Sequence, residues 1–197
     1  KERNCNKLNN FISKLTIEKN IKNIILISRW TYYTDGQYSG SGKMNYLNLK
    51  PARSGNKKNS KIAFAKGINS TVEMFNKLGK NVYIIEQAPL QKISAEAAYY
   101  RSVNKNLNKL KENLIKHSID INKHVTFQNF VKNIFKQNAK NYDNLTIVSL
   151  DDIFCDKKIN KCLIGNEKES FYIDYHHLSS KGANLAENKI NNIMKNF

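Results

Sequence analysis

Three short and almost wholly apolar runs constrain this chain most: KNIILIS at 22–28, NVYIIE at 81–86 and LTIVSL at 145–150. Each is too short for an ordinary helix and too continuous for a strand with one wet face. Each is therefore expected as a strand buried on both faces. Helical spacing fills the intervals. Leu8, Phe11, Ile12 and Leu15 share one side of 7–19; Phe64, Ile68, Val72, Phe75 and Leu78 share one side of 62–78, where Gly79 stops the helix. A long lysine-rich helix is predicted over 95–117 and another over 126–138. Residues 171–173 read as a short extended piece, and Leu185, Ile190, Ile193 and Met194 mark a terminal helix over 182–194. Apolar strands alternating with helices predict an α/β fold, a parallel sheet flanked by helices. In such sheets the ligand crevice lies beyond the carboxyl ends of the strands. That directs attention to Ser28-Arg29-Trp30, Gln87-Ala88-Pro89 and Asp151-Asp152.

The length of 197 residues, with 25% charged and 40% hydrophobic, fits one domain over 1–197. Within it, 31–60 is a long polar excursion holding Gly36, Gly40, Gly42, Pro51 and Gly55. The longest apolar run, Ile24–Ile27, is far below the roughly 18 residues of a membrane helix. The chain opens on Lys1 rather than Met, and further chain is expected upstream. The net charge is +17, yet only Arg3, Arg29, Arg53 and Arg101 among the 33 basic residues are arginine. Arginine forks onto phosphate and guanine, whereas lysine is a point charge, and here the lysines are spread along the whole chain. Specific nucleic-acid binding is not expected; attraction to acidic polymers or anionic headgroups is.

Gly40-Ser41-Gly42-Lys43 resembles the end of a phosphate-binding loop, but Met44 stands where the magnesium-binding hydroxyl belongs and no strand immediately precedes it. It is read as a flexible loop. Cys155 and Cys162 bracket the polar stretch DKKINK, and a short-loop disulfide in an oxidising compartment is expected there, with two thiols in a reducing one as the alternative. Neither close cysteine pairs nor a histidine pair accompanies them, so no metal site is predicted there. Asp174 and His177 sit three apart just before the terminal helix. A carboxylate so placed can bond one imidazole nitrogen and fix the tautomer that turns the other toward a nucleophile. The same spacing also suits a turn-forming aspartate beside a helix-entry histidine.

Asp174, His177, Leu178, Ser179, Gly182 and Ala183 spell D-x-x-H-L-S-x-x-G-A. This resembles the last catalytic block of SGNH-type hydrolases and acyltransferases. It is most similar to the extracytoplasmic C-terminal domain of acyltransferase family 3 membrane proteins, which O-acetylate cell-surface sugars. IILISRW ending at Trp30, NVYIIEQAPL, and the Cys155/Cys162 pair just before the block agree in order and character. The resemblance implies an SGNH-hydrolase-like, three-layer flavodoxin-like fold, incomplete at its N-terminus. It implies acyl transfer to a carbohydrate hydroxyl with His177 as general base and Asp174 orienting it, needing neither metal nor cofactor. The implied partners are a carbohydrate acceptor, an acyl donor and a membrane-embedded domain upstream in the same polypeptide. The implied location is the outer side of a bacterial inner membrane. Two features depart from the family. No Gly-Asp-Ser segment follows a strand, so the nucleophilic serine is expected upstream of Lys1. Arg29 and Trp30 stand where an oxyanion-binding Asn is usual. Trp30 either stacks on a sugar ring or packs under the long loop. The alternative function is a catalytically inactive domain of the same fold that binds carbohydrate or serves as a scaffold.

Overall fold

The structure, a computed structural model, describes residues 5–36, 46–47, 49, 55–102 and 106–195. The segment at 40–43 lies outside the described residues. The described elements run α1 (Cys5–Glu18), β1 (Asn23–Ile27), a 3-10 turn at Trp30–Tyr33, α2 (Lys57–Lys77), β2 (Asn81–Ile85), α3 (Ala95–Tyr100) and α4 (Leu107–His117). They continue with β3 (Ile119–Asp120), α5 (Ile121–Asn141), β4 (Leu145–Val148), α6 (Asp151–Phe154), β5 (Cys155–Asp156), β6 (Lys161–Cys162) and α7 (Ser180–Met194).

The three apolar runs form one parallel sheet in the order β1-β2-β4. Ile27 pairs with Ile85 and Ile85 with Val148, so all three strands end level and the loops that follow them meet at one edge. β2 is buried on both faces. Val82 and Ile84 turn toward Phe64, Ile68, Val72 and Phe75 of α2 and Val131 and Phe135 of α5. Ile85 turns the other way, toward Ala95, Ala98, Leu114, Phe154, Tyr172 and Ala186. Each such aliphatic or aromatic side chain contributes about 1.5–3 kcal/mol on burial, so two cores on one strand explain an unbroken apolar run. The sheet is thus flanked by helices, as the alternating pattern predicts. A small antiparallel sheet, β3-β6-β5, lies apart from it, and its β5–β6 hairpin carries a Cys155–Cys162 disulfide.

Three expectations need correction. β1 is an edge strand rather than a fully buried one: among the described residues it pairs only with β2, and Ile25 and Ile27 stand 38% and 67% exposed. The helix expected over 95–117 is two helices. The buried Ser102 turns its hydroxyl back onto the Ala98 carbonyl at 2.9 Å beyond the end of α3, and the Asn106 carboxamide caps α4 by accepting from the Lys109 N–H at 3.0 Å. α5 starts five residues ahead of its apolar spacing, because the inward residue of its first turns is His124, which a count of apolar positions misses. Residues 171–173 hold no more than the short extended piece expected: an isolated antiparallel bridge joins Tyr172 to Leu178 and closes a tight loop between them.

Trp30 has the packing role and not the stacking one. It is 9% exposed, lies edge-on to Phe64 and Phe135 with ring centroids 6.4 and 5.2 Å away, and donates its indole N–H to the Ile85 carbonyl at 2.8 Å. An indole so enclosed has no face to offer a sugar. Its loop tucks inward because Thr31 beside it is also tied down, through N–H and hydroxyl, to the Gln87 side chain. Trp30→Ala is expected to lower unfolding free energy by about 3–5 kcal/mol, as large-to-small core changes do. Trp30→Phe, which keeps a ring but removes the indole N–H donor to the Ile85 carbonyl, should cost about 1–3 kcal/mol. Urea denaturation of the three proteins checks this ranking.

Candidate functional site

Beyond the ends of β1 and β2 opens a cleft of about 630 Å³, lined by Ser28, Arg29, Tyr32, Glu86, Gln87 and His177 among others. It lies where a parallel sheet is expected to bind its ligand. Its chemistry is concentrated in a turn at 174–177. Asp174 Oδ1 accepts the backbone N–H groups of His176 at 2.7 Å and His177 at 2.8 Å, while Oδ2 lies 2.7 Å from His177 Nδ1. The turn is anchored from outside: Gln91 N–H donates to the Tyr175 carbonyl, Ala95 N–H to the Asp174 carbonyl, and Ile173 N–H to the His177 carbonyl.

Burial opposes the charge on Asp174, but the hydrogen bonds from His177 and His176 outweigh it and hold the carboxyl at about 2, below its usual 3.8. The carboxylate is therefore ionised at neutral pH and accepts the Nδ1–H, which leaves Nε2 of His177 as the basic nitrogen. Nε2 makes no hydrogen bond to the described residues, and the side chain is 65% exposed at the cleft. His176 stacks on His177 with ring centroids 3.8 Å apart. Burial, then the positive charge of Arg29, pushes its pKa down, which favours a neutral His176 beside His177.

The rest of the motif holds this turn against α7. Ser179 caps the helix: its hydroxyl accepts the Gly182 N–H at 3.1 Å and donates to the Ser170 carbonyl at 2.7 Å. Gly182 is a spacing requirement, since a Cβ there would collide with the Phe171 carbonyl. Asp174, His176 and His177 also bring three potential metal-ligand atoms within 4.8 Å of one another. Both oxygens of Asp174 are already engaged by N–H donors, however, so the set is built as a hydrogen-bonded dyad.

A polar stripe on α5 supports the floor of the cleft. His124, Gln128 and Lys132 follow at four-residue spacing and so share one face. His124, fully buried, holds Asp151 Oδ1 at 2.8 Å; Gln128 donates to the Gln87 carbonyl at 3.1 Å; Lys132 pairs with Glu86 at 2.9 Å and with Asp151. Against the penalty of burial, these partners hold the Asp151 carboxyl at about 2.

Of the residues expected at the crevice, Ser28, Arg29, Gln87, Ala88 and His177 line it, and Asp174 stands behind His177. Trp30 faces the core, Asp151 is bound to the α5 stripe, and Asp152 pairs with Lys189 at 2.6 Å. Cys155 and Cys162 lie outside the cleft lining. Glu86, Tyr32 and the α5 stripe were missed as candidates. The His-x3-Gln-x3-Lys spacing on an otherwise amphipathic helix is the signal that could have found the stripe.

A family model described as the SGNH domain fused to AT3 domains matches residues 1–192. No curated protein matches the sequence. Among solved structures, the periplasmic domain of the lipopolysaccharide acetyltransferase of Salmonella ser. Paratyphi A is similar in fold, with a TM-score of 0.51 and 13% identity. The likeness covers 74% of this chain and 54% of that one, so the chain spans about half the length of its neighbour.

Because the folded pKa of Asp174 and of Asp151 lies near 2 and the unfolded value near 3.8, the unfolded chain binds more protons between them. Their contribution to stability is complete above about pH 4 and is lost as pH falls toward 2. Urea midpoints measured across that window should fall, and Asp174→Asn should flatten part of the fall; an unchanged slope would remove Asp174 as its source.

Proposed function

The chain belongs to the family of SGNH domains fused to AT3 domains, and we propose that it is the C-terminal part of an extracytoplasmic O-acyltransferase domain acting on cell-surface carbohydrate. The observation that carries this reading is the Asp174–His177 pair: a carboxylate holding Nδ1 at 2.7 Å, with Nε2 unengaged at a cleft beyond the strand ends. That is the orienting half of a serine-based acyl-transfer site.

The proposed chemistry has two halves. His177 Nε2 takes the proton of a serine hydroxyl as the serine oxygen bonds to the acyl carbonyl of a donor, and the proton passes to the departing donor group. In the second half, Nε2 takes the proton of a sugar hydroxyl as its oxygen bonds to the same carbonyl, and the proton returns to the serine oxygen. Asp174 stabilises the imidazolium formed in each half.

The serine is assigned to a strand upstream of Lys1. The edge of β1 that no described strand pairs, with Ile25 and Ile27 exposed, favours a further strand there, as do the exposed Leu8, Phe11, Ile12 and Ile17 of α1. The Cys155–Cys162 disulfide accords with an oxidising, extracytoplasmic compartment. No described helix is long and apolar enough to cross a membrane, and membrane attachment is assigned to the fused AT3 domain. A second reading places the nucleophile within this chain, because Ser28 lines the same cleft as His177.

In the full-length protein, His177→Ala should reduce acyl transfer by about 10²–10⁴-fold, the range general-base removal produces. Its far-ultraviolet circular dichroism should not change, since that side chain is mostly exposed. Ser28→Ala should leave transfer intact. Transfer at the native rate in His177→Ala would overturn the proposal, and loss of transfer in Ser28→Ala would favour the second reading.

A further inference from the structure

Resting on the acyl-transfer reading of the cleft, we infer that Arg29 and Gln87 form a donor pair that holds an anionic oxygen group in the cleft lined by His177. Both residues line that cleft, and both bring buried N–H groups without a hydrogen-bond partner among the described residues.

Arg29 makes one long hydrogen bond to the described residues, from Nη2 to the Gly36 carbonyl at 3.4 Å. Its Nε is buried without a partner. Its guanidinium lies 5.0 Å from the ring centre of Tyr32 and 5.9 Å from that of Tyr175, contacts that orient a cation without neutralising it. Glu86, a carboxylate of the cleft lining, is taken by Lys132 at 2.9 Å, and Arg29 forms no ion pair with a described residue.

Gln87 is 8% exposed, and its orientation is set from behind. Oε1 accepts both the backbone N–H and the hydroxyl of Thr31 at 3.0 Å, which leaves Nε2 as a fixed, buried donor with no partner. A neutral hydroxyl could accept one of these N–H groups but would leave the guanidinium charge unmatched. An oxygen carrying negative charge answers both. That oxygen belongs either to an acidic group on the acceptor sugar or to the oxyanion that develops on the acyl carbonyl. Tyr32 and Tyr33 lie in the same lining.

The test uses the full-length protein with Arg29→Gln, Arg29→Lys and Gln87→Glu, each checked for native circular dichroism. Gln87→Glu keeps an acceptor for Thr31 and turns the cleft-facing donor into a repelling oxygen. Binding of methyl glucuronide and methyl glucoside is measured by calorimetry, and kcat and KM by hydrolysis of p-nitrophenyl acetate. If the anion is on the acceptor, the native protein prefers the glucuronide by at least about ten-fold and Arg29→Gln and Gln87→Glu lose the preference. If it is the oxyanion, the two sugars bind alike, while kcat drops at least about ten-fold in both variants at unchanged KM. In either case Arg29→Lys, which keeps the charge and loses the fork, falls between the native protein and Arg29→Gln. Variants that match the native protein in both measurements overturn the inference. A glucuronide preference that depends on Arg29, in a native protein with no hydrolytic activity, would keep the anion site and remove the acyl-transfer reading.

Discussion

The structure depends on the burial of β2 from every side. Its edges pair with β1 and β4, and its faces enter two separate hydrophobic cores. The strand end is tied down as firmly as the middle. The indole of Trp30 donates to the Ile85 carbonyl, Gln128 to the Gln87 carbonyl, and Lys132 pairs with Glu86. A cleft opening at that end inherits a rigid floor. The penalty for burying Glu86, Asp151 and Lys132 is offset because each is met by an opposite charge in a shared network. On the proposed acyl-transfer reading, that rigidity would serve donors aimed at a developing charge, which act best when they need not reorganise.

Against that rigid floor, the histidine turn is almost self-contained. The jobs of Asp174, His177, Ser179 and Gly182 are done by bonds and contacts within the stretch 170–182. That is why the pattern can be read in a linear sequence: a short-range hydrogen-bonding unit leaves a short-range signature. The same locality explains the motif's glycine, which is there for the closeness of α7 to the Phe171 carbonyl.

Elsewhere, legibility followed the range of the forces involved. The three strands and their parallel pairing were readable from apolar continuity, although that continuity overstated the burial of the edge strand β1. The break between α3 and α4 was not, because it rests on the Ser102 hydroxyl and the Asn106 cap rather than on the apolar spacing that runs through both helices. Burial of Trp30 was equally opaque: it is decided by Phe64 and Phe135, more than 30 and 100 residues further along the chain. Arg29 and Gln87 could be placed at the crevice from their positions after strands. Their unmatched N–H groups emerged only from the packing that brings Thr31 and Glu86 alongside. The Cys155 and Cys162 spacing favoured a disulfide over two free thiols, and the antiparallel pairing of β5 with β6, which sets the two residues opposite each other, bears it out.

The central claim is that the Asp174–His177 pair serves a serine carried by a strand upstream of this chain. The most direct measurement is to treat the full-length protein and its His177→Ala variant with a fluorophosphonate and map the adduct by peptide mass spectrometry. The account predicts one labelled serine, N-terminal to Lys1, with labelling lost in the variant. A native protein that takes no label, or a variant labelled as fast as the native protein, would contradict it.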